Sequence, residues 1–361
     1  MLPIAIVGAG PAGAFAAESL ARAGRKVLLF DEKLEWEKPC GGGITHKALV
    51  EYPFLRDSQE ERNWVFGCEL ISPSGRGVRL TLDRPIAIFS RRVLNGLLLE
   101  RARRAGAEVV QERVTAITGA AGAWKVRARR GEFEAGYIVL AAGARNSFRA
   151  QFSLPFSGDD LMATAGYYLP GSASEMQVRF FAGLDGYMWM FPRSDHYSAG
   201  ICGKMSGATT AELRRAPASG EGWAMIGDAA GFVDPITGEG IYYALRSADL
   251  LARALLASCP DRYPQWLRQD FLPEFETAAG FVDRFFLGRL AGAPVLERMV
   301  QFAVSSPRFR ALLCDLFAGS QGYRGLRSRA YRTLPLMMAE MVEKLVRPQS
   351  SAAGRRLKSA L

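Results

Sequence analysis

The sequence predicts an α/β protein with a Rossmann-like dinucleotide-binding domain, an antiparallel β-sheet layer and a C-terminal helical region. Three observations support this fold class. A branched apolar run at residues 3–7 precedes a glycine-rich turn, as in a buried parallel strand that leads into a helix. Residues 161–201 alternate short aromatic-rich segments with turns, which is typical of antiparallel strands. After Pro260 the apolar spacing is mostly helical as far as about Val346.

The first 30 residues predict a β-α-β unit. Residues 12–23 are rich in alanine and predict a helix, and Gly24 stands just beyond it as a C-cap. The apolar run Val27–Phe30 predicts the second strand. A parallel strand pair joined by a helix in about 30 residues is the usual βαβ motif.

Further elements follow in the same way. An amphipathic helix is predicted over Arg91–Arg104, a buried strand over 223–226 and a long helix over 241–257. We expect an antiparallel meander from the alternating segments 109–117, 124–128 and 133–140. The predicted domains are 1–70 plus 85–150 plus 221–257 for the dinucleotide-binding domain, 71–84 plus 151–220 for the sheet layer, and 258–361 for the helical region.

Composition sets limits on function. The 361 residues are 49% hydrophobic and carry 46 basic and 36 acidic side chains, so the formal charge is 46 − 36 = +10. A basic surface attracts phosphates and anionic lipids as well as nucleic acids. The sequence has no zinc finger or RNA-recognition signature, so we expect no nucleic-acid partner.

The cysteines and histidines argue against metal or disulfide chemistry. Five cysteines lack C-x-x-C spacing and there are two histidines, so we expect no metal site and a reducing, cytoplasmic location. No apolar stretch reaches about 18 residues, so no transmembrane helix is expected. The basic, apolar C-terminal helices leave peripheral contact at the inner membrane face as an alternative. We expect a monomer.

Residues 8–13 form a G-x-G-x-x-G motif between the first strand and helix. Gly8 permits the tight turn, Gly10 lets the backbone approach a pyrophosphate, and Gly13 allows close helix–strand packing. Pro11 and Ala12 open the helix, whose N-terminus favours phosphate. Asp31 ends the second strand 18 residues after Gly13, where its carboxylate can accept bonds from ribose hydroxyls. The motif suits FAD and NAD equally.

A second motif, in residues 223–241, indicates which of the two cofactors, FAD or NAD, the protein binds. It contains Gly227-Asp228 after a strand and then Pro235-x-x-Gly238-x-Gly240-Ile241 before a helix. This segment resembles the FAD enzymes of the p-hydroxybenzoate hydroxylase type. The resemblance implies that Gly227 and Asp228 contact the ribityl and pyrophosphate, and that the loop from Pro235 to Ile241 lies against the isoalloxazine. We therefore predict FAD as the cofactor.

Two more segments fit the same superfamily. Arg91 opens a helix that resembles the one whose arginine reaches the cofactor, and Ala142-Gly143 resembles the turn that returns to the dinucleotide. Aromatic hydroxylases usually carry Asp-Gly at that turn. The alanine here removes a carboxylate, which weakens a hydroxylase interpretation.

The branch of the family is indicated by Lys38-Pro39-Cys40-Gly41-Gly42-Gly43-Ile44 and by Gly186-Tyr187-Met188-Trp189-Met190-Phe191-Pro192. Together they resemble the geranylgeranyl reductases. The resemblance implies reduction of isoprenoid double bonds, with Tyr187, Trp189 and Phe191 as substrate-binding residues. An apolar, aromatic wall suits a chain without polar groups. The alternative for these aromatic residues is an ordinary core position.

Adding hydrogen across an alkene needs a hydride and a proton, and the reduced flavin would supply the hydride. A thiol protonated at neutral pH can donate a proton, so Cys40 is the predicted catalytic residue. Gly41 and Gly42 would let backbone approach the flavin ring. A buried, chemically inert cysteine is the alternative for Cys40.

The sequence leaves rival functions open. An FAD-dependent monooxygenase acting on an aromatic or polyketide-like substrate is the second enzyme hypothesis. A non-catalytic flavin- or lipid-binding protein is the third. Without a second G-x-G-x-x-G motif, the electron donor is either transiently bound NADPH or a reduced carrier protein. The substrate is expected to be isoprenoid or lipid-like.

Overall fold

The computed structural model describes residues 2–204 and 216–346. Its strands, in chain order from β1 to β18, are Ile4–Val7, Val27–Phe30, Gly43–Ile44, Asn63–Ile71, Gly77–Ile88, Glu108–Val110, Val114–Ala120, Ala123–Ala128, Glu132–Ala135, Tyr137–Leu140, Ala163–Pro170, Glu175–Arg179, Gly186–Pro192, His196–Gly203, Ser219–Gly220, Trp223–Met225, Arg289–Leu290 and Ala293–Pro294. Its α-helices, from α1 to α12, are Pro11–Arg22, His46–Glu51, Phe54–Asp57, Arg91–Arg104, Arg149–Phe152, Ile241–Leu256, Tyr263–Asp270, Leu272–Ala279, Val282–Phe286, Val295–Ser305, Pro307–Phe317 and Tyr323–Val346.

The first sheet has the order β15-β16-β10-β1-β2-β6. Strand β1 pairs in parallel with β10 on one side and β2 on the other, so their carboxyl ends meet at one edge. Helices α1, α4 and α6 pack together on one face, and the hairpins β7-β8-β9 cover the other. The predicted Rossmann-like α/β domain is confirmed.

The predicted meander is partly wrong. Residues 114–117 and 133–135 behave as expected, but the segments 109–117 and 133–140 are each divided between two sheets. Glu108–Val110 and Tyr137–Leu140 join the parallel sheet, whereas the meander consists of β7, β8 and β9. Gly136 separates β9 from β10, and its N–H donates to Pro3 O at 2.9 Å. The run Tyr137–Leu140 is apolar throughout, as a strand covered on both faces requires.

The second sheet has the order β11-β14-β13-β12-β4-β5-β3. Most pairs are antiparallel, and β12 pairs with β4 in parallel. The long hairpin of β4 and β5 begins at Asn63 and ends at Ile88, so it extends beyond the predicted 71–84 segment on both sides. Strand β3 brings Gly43 and Ile44 into this sheet, where they pair with the end of β5.

The C-terminal helices α8 to α12 cover one face of the second sheet. Their apolar side chains form one cluster with Val65, Leu70 and Leu80 of the sheet. The predicted helical region is confirmed as far as Val346, and the predicted domain end at 361 lies outside the described residues. Within the described ranges, no helix is both long and apolar enough to span a bilayer.

Candidate active site

The Gly8 loop (residues 8–13) lies where β1 ends and α1 begins. Gly8 has φ +109°, and a Cβ there would stand 2.4 Å from Ala141 O. A Cβ on Gly13 would stand 1.8 Å from Gly8 O, so the loop closes on itself. A Cβ on Gly10 would meet nothing within 4 Å. Gly10 therefore faces open space beside the helix N-terminus at Pro11, where a pyrophosphate fits.

Asp31 is held beside this loop at the end of β2. Its Oδ2 accepts from Ala9 N at 2.8 Å and its Oδ1 from Lys33 N at 2.9 Å. Each carboxylate oxygen keeps a second lone pair for another donor. This geometry fits the predicted ribose contact.

The predicted residues of the second motif converge on the same place. A Cβ on Gly227 (φ +59°) would lie 3.0 Å from the Ala12 Cβ, so the turn after β16 touches the start of α1. A Cβ on Gly240 would lie 3.1 Å from Asp228 Oδ1. Helix α6 begins at Ile241, so two helix N-termini point into one cleft.

Arg91 and Asn146 carry buried hydrogen-bond donors that a cofactor could use. Arg91 is 7% exposed, yet its Nε has no hydrogen-bond partner among the described residues. Asn146 follows the Ala142-Gly143 turn and is 8% exposed, with its Nδ2 also unpartnered among them. A Cβ on Gly8 would approach Ala142 Cα to 2.7 Å, which brings this turn against the Gly8 loop. Buried donors without acceptors fit a phosphate- and hydroxyl-rich cofactor such as FAD.

The loop containing Pro235 and Gly238 is held from within by Asp234. This carboxylate accepts from Ile236 N at 2.8 Å and from Tyr323 Oη at 2.8 Å. Burial raises the pKa of Asp234 above its ordinary value, and these donors offset part of the shift. The shape of the loop is therefore supported by hydrogen bonds to its own carboxylate and from Tyr323.

Tyr187 reaches that loop from the second sheet. Its Oη donates to Thr237 O at 2.5 Å and would contact a Cβ placed on Gly238. Burial raises the pKa of the Tyr187 phenol well above its ordinary value, so the group stays neutral as a donor. The sheet wall is thereby fixed to the predicted flavin-facing loop.

The Cys40 loop (residues 37–43) lies between the two sheets. A Cβ on Gly41 would stand 2.6 Å from the Phe191 ring, and one on Gly42 (φ +78°) would stand 2.0 Å from Phe89 O. Cys40 is half-buried, and its Sγ accepts from Gly42 N at 3.4 Å. The glycines therefore let this loop pack directly against Phe191 of β13 and against the end of β5. Both strands belong to the second sheet, which is called the aromatic sheet below.

Trp189 differs from the expected channel wall. It is 5% exposed, and its ring lies over Gly166 and Gly200 of the neighbouring strands. Its Nε1 donates to Ser198 Oγ at 3.3 Å. Glycines on β11 and β14 leave the room that the indole fills, so Trp189 supports the sheet in this structure, while Tyr187 and Phe191 are more exposed.

Sequence reasoning missed several polar residues here. Lys38 Nζ lies 3.2 Å from Asp228 Oδ2, which connects the Cys40 loop to the second motif. Glu239 Oε1 accepts from Thr45 Oγ1 at 2.8 Å. Burial raises the pKa of Glu239 to about 7, and the Thr45 bond opposes the shift. Charged residues inside both motifs were a usable signal, but their partners are distant in sequence.

The fold and the cleft define an FAD-dependent oxidoreductase. The pyridine nucleotide-disulphide oxidoreductase family matches residues 2–168. The geranylgeranyl diphosphate reductase of Synechocystis is 30% identical over 72% of this chain and 76% of its own length. The digeranylgeranylglycerophospholipid reductase of Methanothrix thermoacetophila is 29% identical over 70% of this chain and 77% of its own. The chain belongs to the geranylgeranyl reductase family.

Solved structures agree on the fold. A geranylgeranyl bacteriochlorophyll reductase-like protein from Thermoplasma acidophilum has a TM-score of 0.71 at 20% identity, covering 92% of this chain and 98% of that one. A flavin-dependent brominase also has a TM-score of 0.71, at 17% identity and with 96% and 100% coverage. At such identities the likeness concerns the architecture alone, which reductases and halogenases share.

Proposed function

We propose that this protein uses reduced FAD to saturate carbon–carbon double bonds in an isoprenoid chain carried by a lipid or a diphosphate. The observation that carries the proposal is the position of the Cys40 loop. It packs on Phe191 of the aromatic sheet and reaches Asp228 through Lys38. A thiol thus stands between an apolar wall and the cofactor cleft.

In this proposal different residues of the chain bind the cofactor, line the substrate path and hold the proton. Asp31, Arg91 and the open space at Gly10 bind the cofactor, and bound FAD supplies the hydride. Tyr187 and Phe191 line the path of the isoprenoid chain and exclude water from it. Cys40 holds at its Sγ the proton that the second alkene carbon receives.

The electron donor and the membrane contact are also proposals. We propose NADPH or a reduced carrier protein as the donor, and a cytoplasmic monomer as the working state. The outer side of α12 carries an apolar stripe of half-exposed side chains: Tyr331, Leu334, Met338 and Val342. The first half of the same helix carries four arginines, Arg324, Arg327, Arg329 and Arg332, and the chain carries +10 overall, so an anionic lipid surface is the expected contact.

The membrane contact is tested with anionic liposomes at low salt. We expect the wild type to co-sediment, and a Leu334→Glu, Met338→Glu double variant to stay in solution. A Val50→Glu, Phe66→Glu double variant, which places the same two charges at exposed apolar sites on other elements, serves as the matched control. Equal binding by all three proteins would contradict this contact.

The proposed reaction is tested by mass spectrometry of anaerobic turnover products. The FAD-loaded protein is reduced with dithionite and given geranylgeranyl diphosphate or a geranylgeranylated lipid. Products heavier by successive hydrogen pairs support the reductase and count the bonds reduced. Unchanged lipid with rapid oxygen-dependent flavin reoxidation would instead favour the monooxygenase alternative.

Cys40 is tested in the same assay. A Cys40→Ser variant should lose on the order of 10²-fold or more in rate, the usual contribution of a positioned acid. Its flavin absorbance should match the wild type. A Cys40→Ser protein that reduces alkenes at the wild-type rate would remove the thiol from the mechanism.

A further inference from the structure

Residues 41–43 are all glycine, so the part of the Cys40 loop that follows the thiol has no side chains to hold it in place. Something outside the loop must fix the thiol. The structure supplies three anchors, at residues 37, 40 and 42. The anchor at residue 42 is a backbone hydrogen bond, in which Phe89 N donates to Gly42 O at 2.9 Å.

The first anchor is Glu37. Its carboxylate accepts from Ser90 Oγ at 2.8 Å, from Arg91 N at 3.0 Å and from Arg92 N at 3.1 Å. Partial burial alone would raise the pKa of Glu37. The donors at the α4 N-terminus, together with Arg193, hold it below the ordinary value. Glu37 is therefore a fixed anion at the start of the helix that carries Arg91.

The second anchor is the carbonyl of Cys40 itself. Ser198 Oγ donates to this oxygen at 2.8 Å, and Arg193 Nη2 donates to it at 3.2 Å. Both donors are 2% exposed. Arg193 follows the last residue of β13, and Ser198 lies on β14, so the turn of the aromatic sheet holds the thiol-bearing residue by its backbone.

Arg193 connects the first two anchors. Its Nη1 lies 2.9 Å from Glu37 Oε1 while its Nη2 bonds Cys40 O. Its guanidinium also lies 5.2 Å from the centroid of the Tyr168 ring. A planar guanidinium can form an ion pair through one nitrogen while it donates a hydrogen bond through another, a geometry that a lysine ammonium cannot reproduce.

We propose that Arg193 is a positioning residue that fixes the Cys40 loop to Glu37, and so sets where the Cys40 thiol stands relative to the cleft. The inference rests on the proposed role of Cys40, but the contacts themselves do not depend on which substrate is reduced. Misplacing a reacting group by about 1 Å costs on the order of 10²-fold in rate. We expect a loss of that size in Arg193→Met.

The direct test measures alkylation of Cys40 in the FAD-loaded protein, located by peptide mass spectrometry. All proteins are labelled at one pH and compared with the wild type, residue by residue. Half-buried Cys259 and Cys314 are internal references. We expect faster labelling of Cys40 alone in Arg193→Met and in Ser198→Ala. Arg193→Lys should keep the Glu37 ion pair and give an intermediate rate, and it also provides the test if the methionine variant does not fold.

The matched control is Arg246→Met. Arg246 is a partly buried arginine paired with Asp270 and Glu51, away from the Cys40 loop. We expect it to lower thermal stability without changing Cys40 labelling. A second check is Glu37→Gln, whose effect should be less than additive with Arg193→Met because both break one contact.

Two outcomes overturn the inference. In one, Cys40 labelling in the Arg193 variants equals the wild-type rate. In the other, all three thiols react faster together, which indicates general loosening and a merely structural arginine. Failure of the proposed function looks different: the wild type would not reduce alkenes, while selective Cys40 labelling in Arg193→Met would still support the positioning role.

Discussion

The Gly8 loop and the Cys40 loop both contain several glycines, yet the two loops need them for different reasons. In the Gly8 loop, an added Cβ at Gly13 would strike Gly8 O of the same loop at 1.8 Å. In the Cys40 loop, an added Cβ at Gly41 would strike the Phe191 ring at 2.6 Å, on a strand about 150 residues away in the chain. At Gly13 the first loop is limited by its own backbone, whereas at Gly41 the second loop is limited by a side chain of a distant strand.

The difference shows how each loop can be changed. A backbone clash within one turn cannot be relieved by substituting a neighbour, whereas a side-chain clash across an interface can. The Gly13 clash therefore lies within the βαβ unit, whereas Gly8 itself also packs against Ala141. The Cys40 loop acquires its shape only when the aromatic sheet, β5 and α4 are all in place.

The largest expected effect is that of Gly13→Ala. We expect loss of most bound FAD and a destabilisation of at least about 3 kcal/mol, because the new Cβ overlaps a carbonyl that cannot move. The measurements are flavin absorbance per protein and thermal unfolding. Gly10→Ala is the control: its Cβ meets open space, so the apoprotein should keep its stability within about 0.5 kcal/mol while FAD affinity falls. Wild-type FAD content in Gly13→Ala would contradict the comparison.

The next effect is that of Gly41→Ala, with an expected cost of roughly 1–3 kcal/mol from overpacking against Phe191. Adding Phe191→Leu should restore much of the lost thermal stability. Gly42→Ala should not be restored by the same change, since its Cβ meets Phe89 O and its φ is +78°. If Phe191→Leu fails to improve Gly41→Ala, the loop is not limited by the aromatic sheet.

A third prediction concerns Glu239 of the loop from Pro235 to Ile241, whose carboxylate accepts from Thr45 just after the Cys40 loop. Burial raises its folded pKa from 4.5 to about 7. The folded state therefore binds this proton more tightly, and the stability contributed by the group falls as pH rises from 4.5 through 7. We expect Glu239→Gln to gain on the order of 2 kcal/mol over the wild type across that window.

The measurement is the difference in free energy of unfolding between Glu239→Gln and the wild type, taken from acid to mildly alkaline pH. Taking the difference removes the other titrating groups, which are common to both proteins. The advantage of the variant should level off above the folded pKa. A difference that does not change with pH would mean that this carboxyl is not buried against the loop.

The smallest effect is expected from Lys38→Met. This ammonium lies 3.2 Å from Asp228 but is 41% exposed, so solvent screens the pair. We expect a change in stability below about 1 kcal/mol, measured by denaturant unfolding, with FAD still bound. A much larger loss would show that the Cys40 loop is held chiefly from the Asp228 side and not by the sheet turn.

Local motifs made much of the architecture predictable. The strand–glycine turn–helix–strand unit, the long helix α6 and the C-terminal helices follow from apolar period and helix caps, which are short-range signals. The division of 133–140 at Gly136 was missed, because periodicity alone does not tell which sheet a short apolar run will join. Trp189 was expected at the wall, and the glycines that bury it lie on other strands.

The sequence by itself indicated the cofactor cleft, since the Gly8 loop and Asp31 belong to one βαβ unit of about 30 residues. It also indicated the family through short motifs around Cys40 and Gly227. Only the tertiary structure decided how the thiol is held, because Glu37, Arg193 and Ser198 come from three separate segments. Buried polar groups must find partners wherever the fold brings donors and acceptors together, and no spacing rule along the chain records that choice.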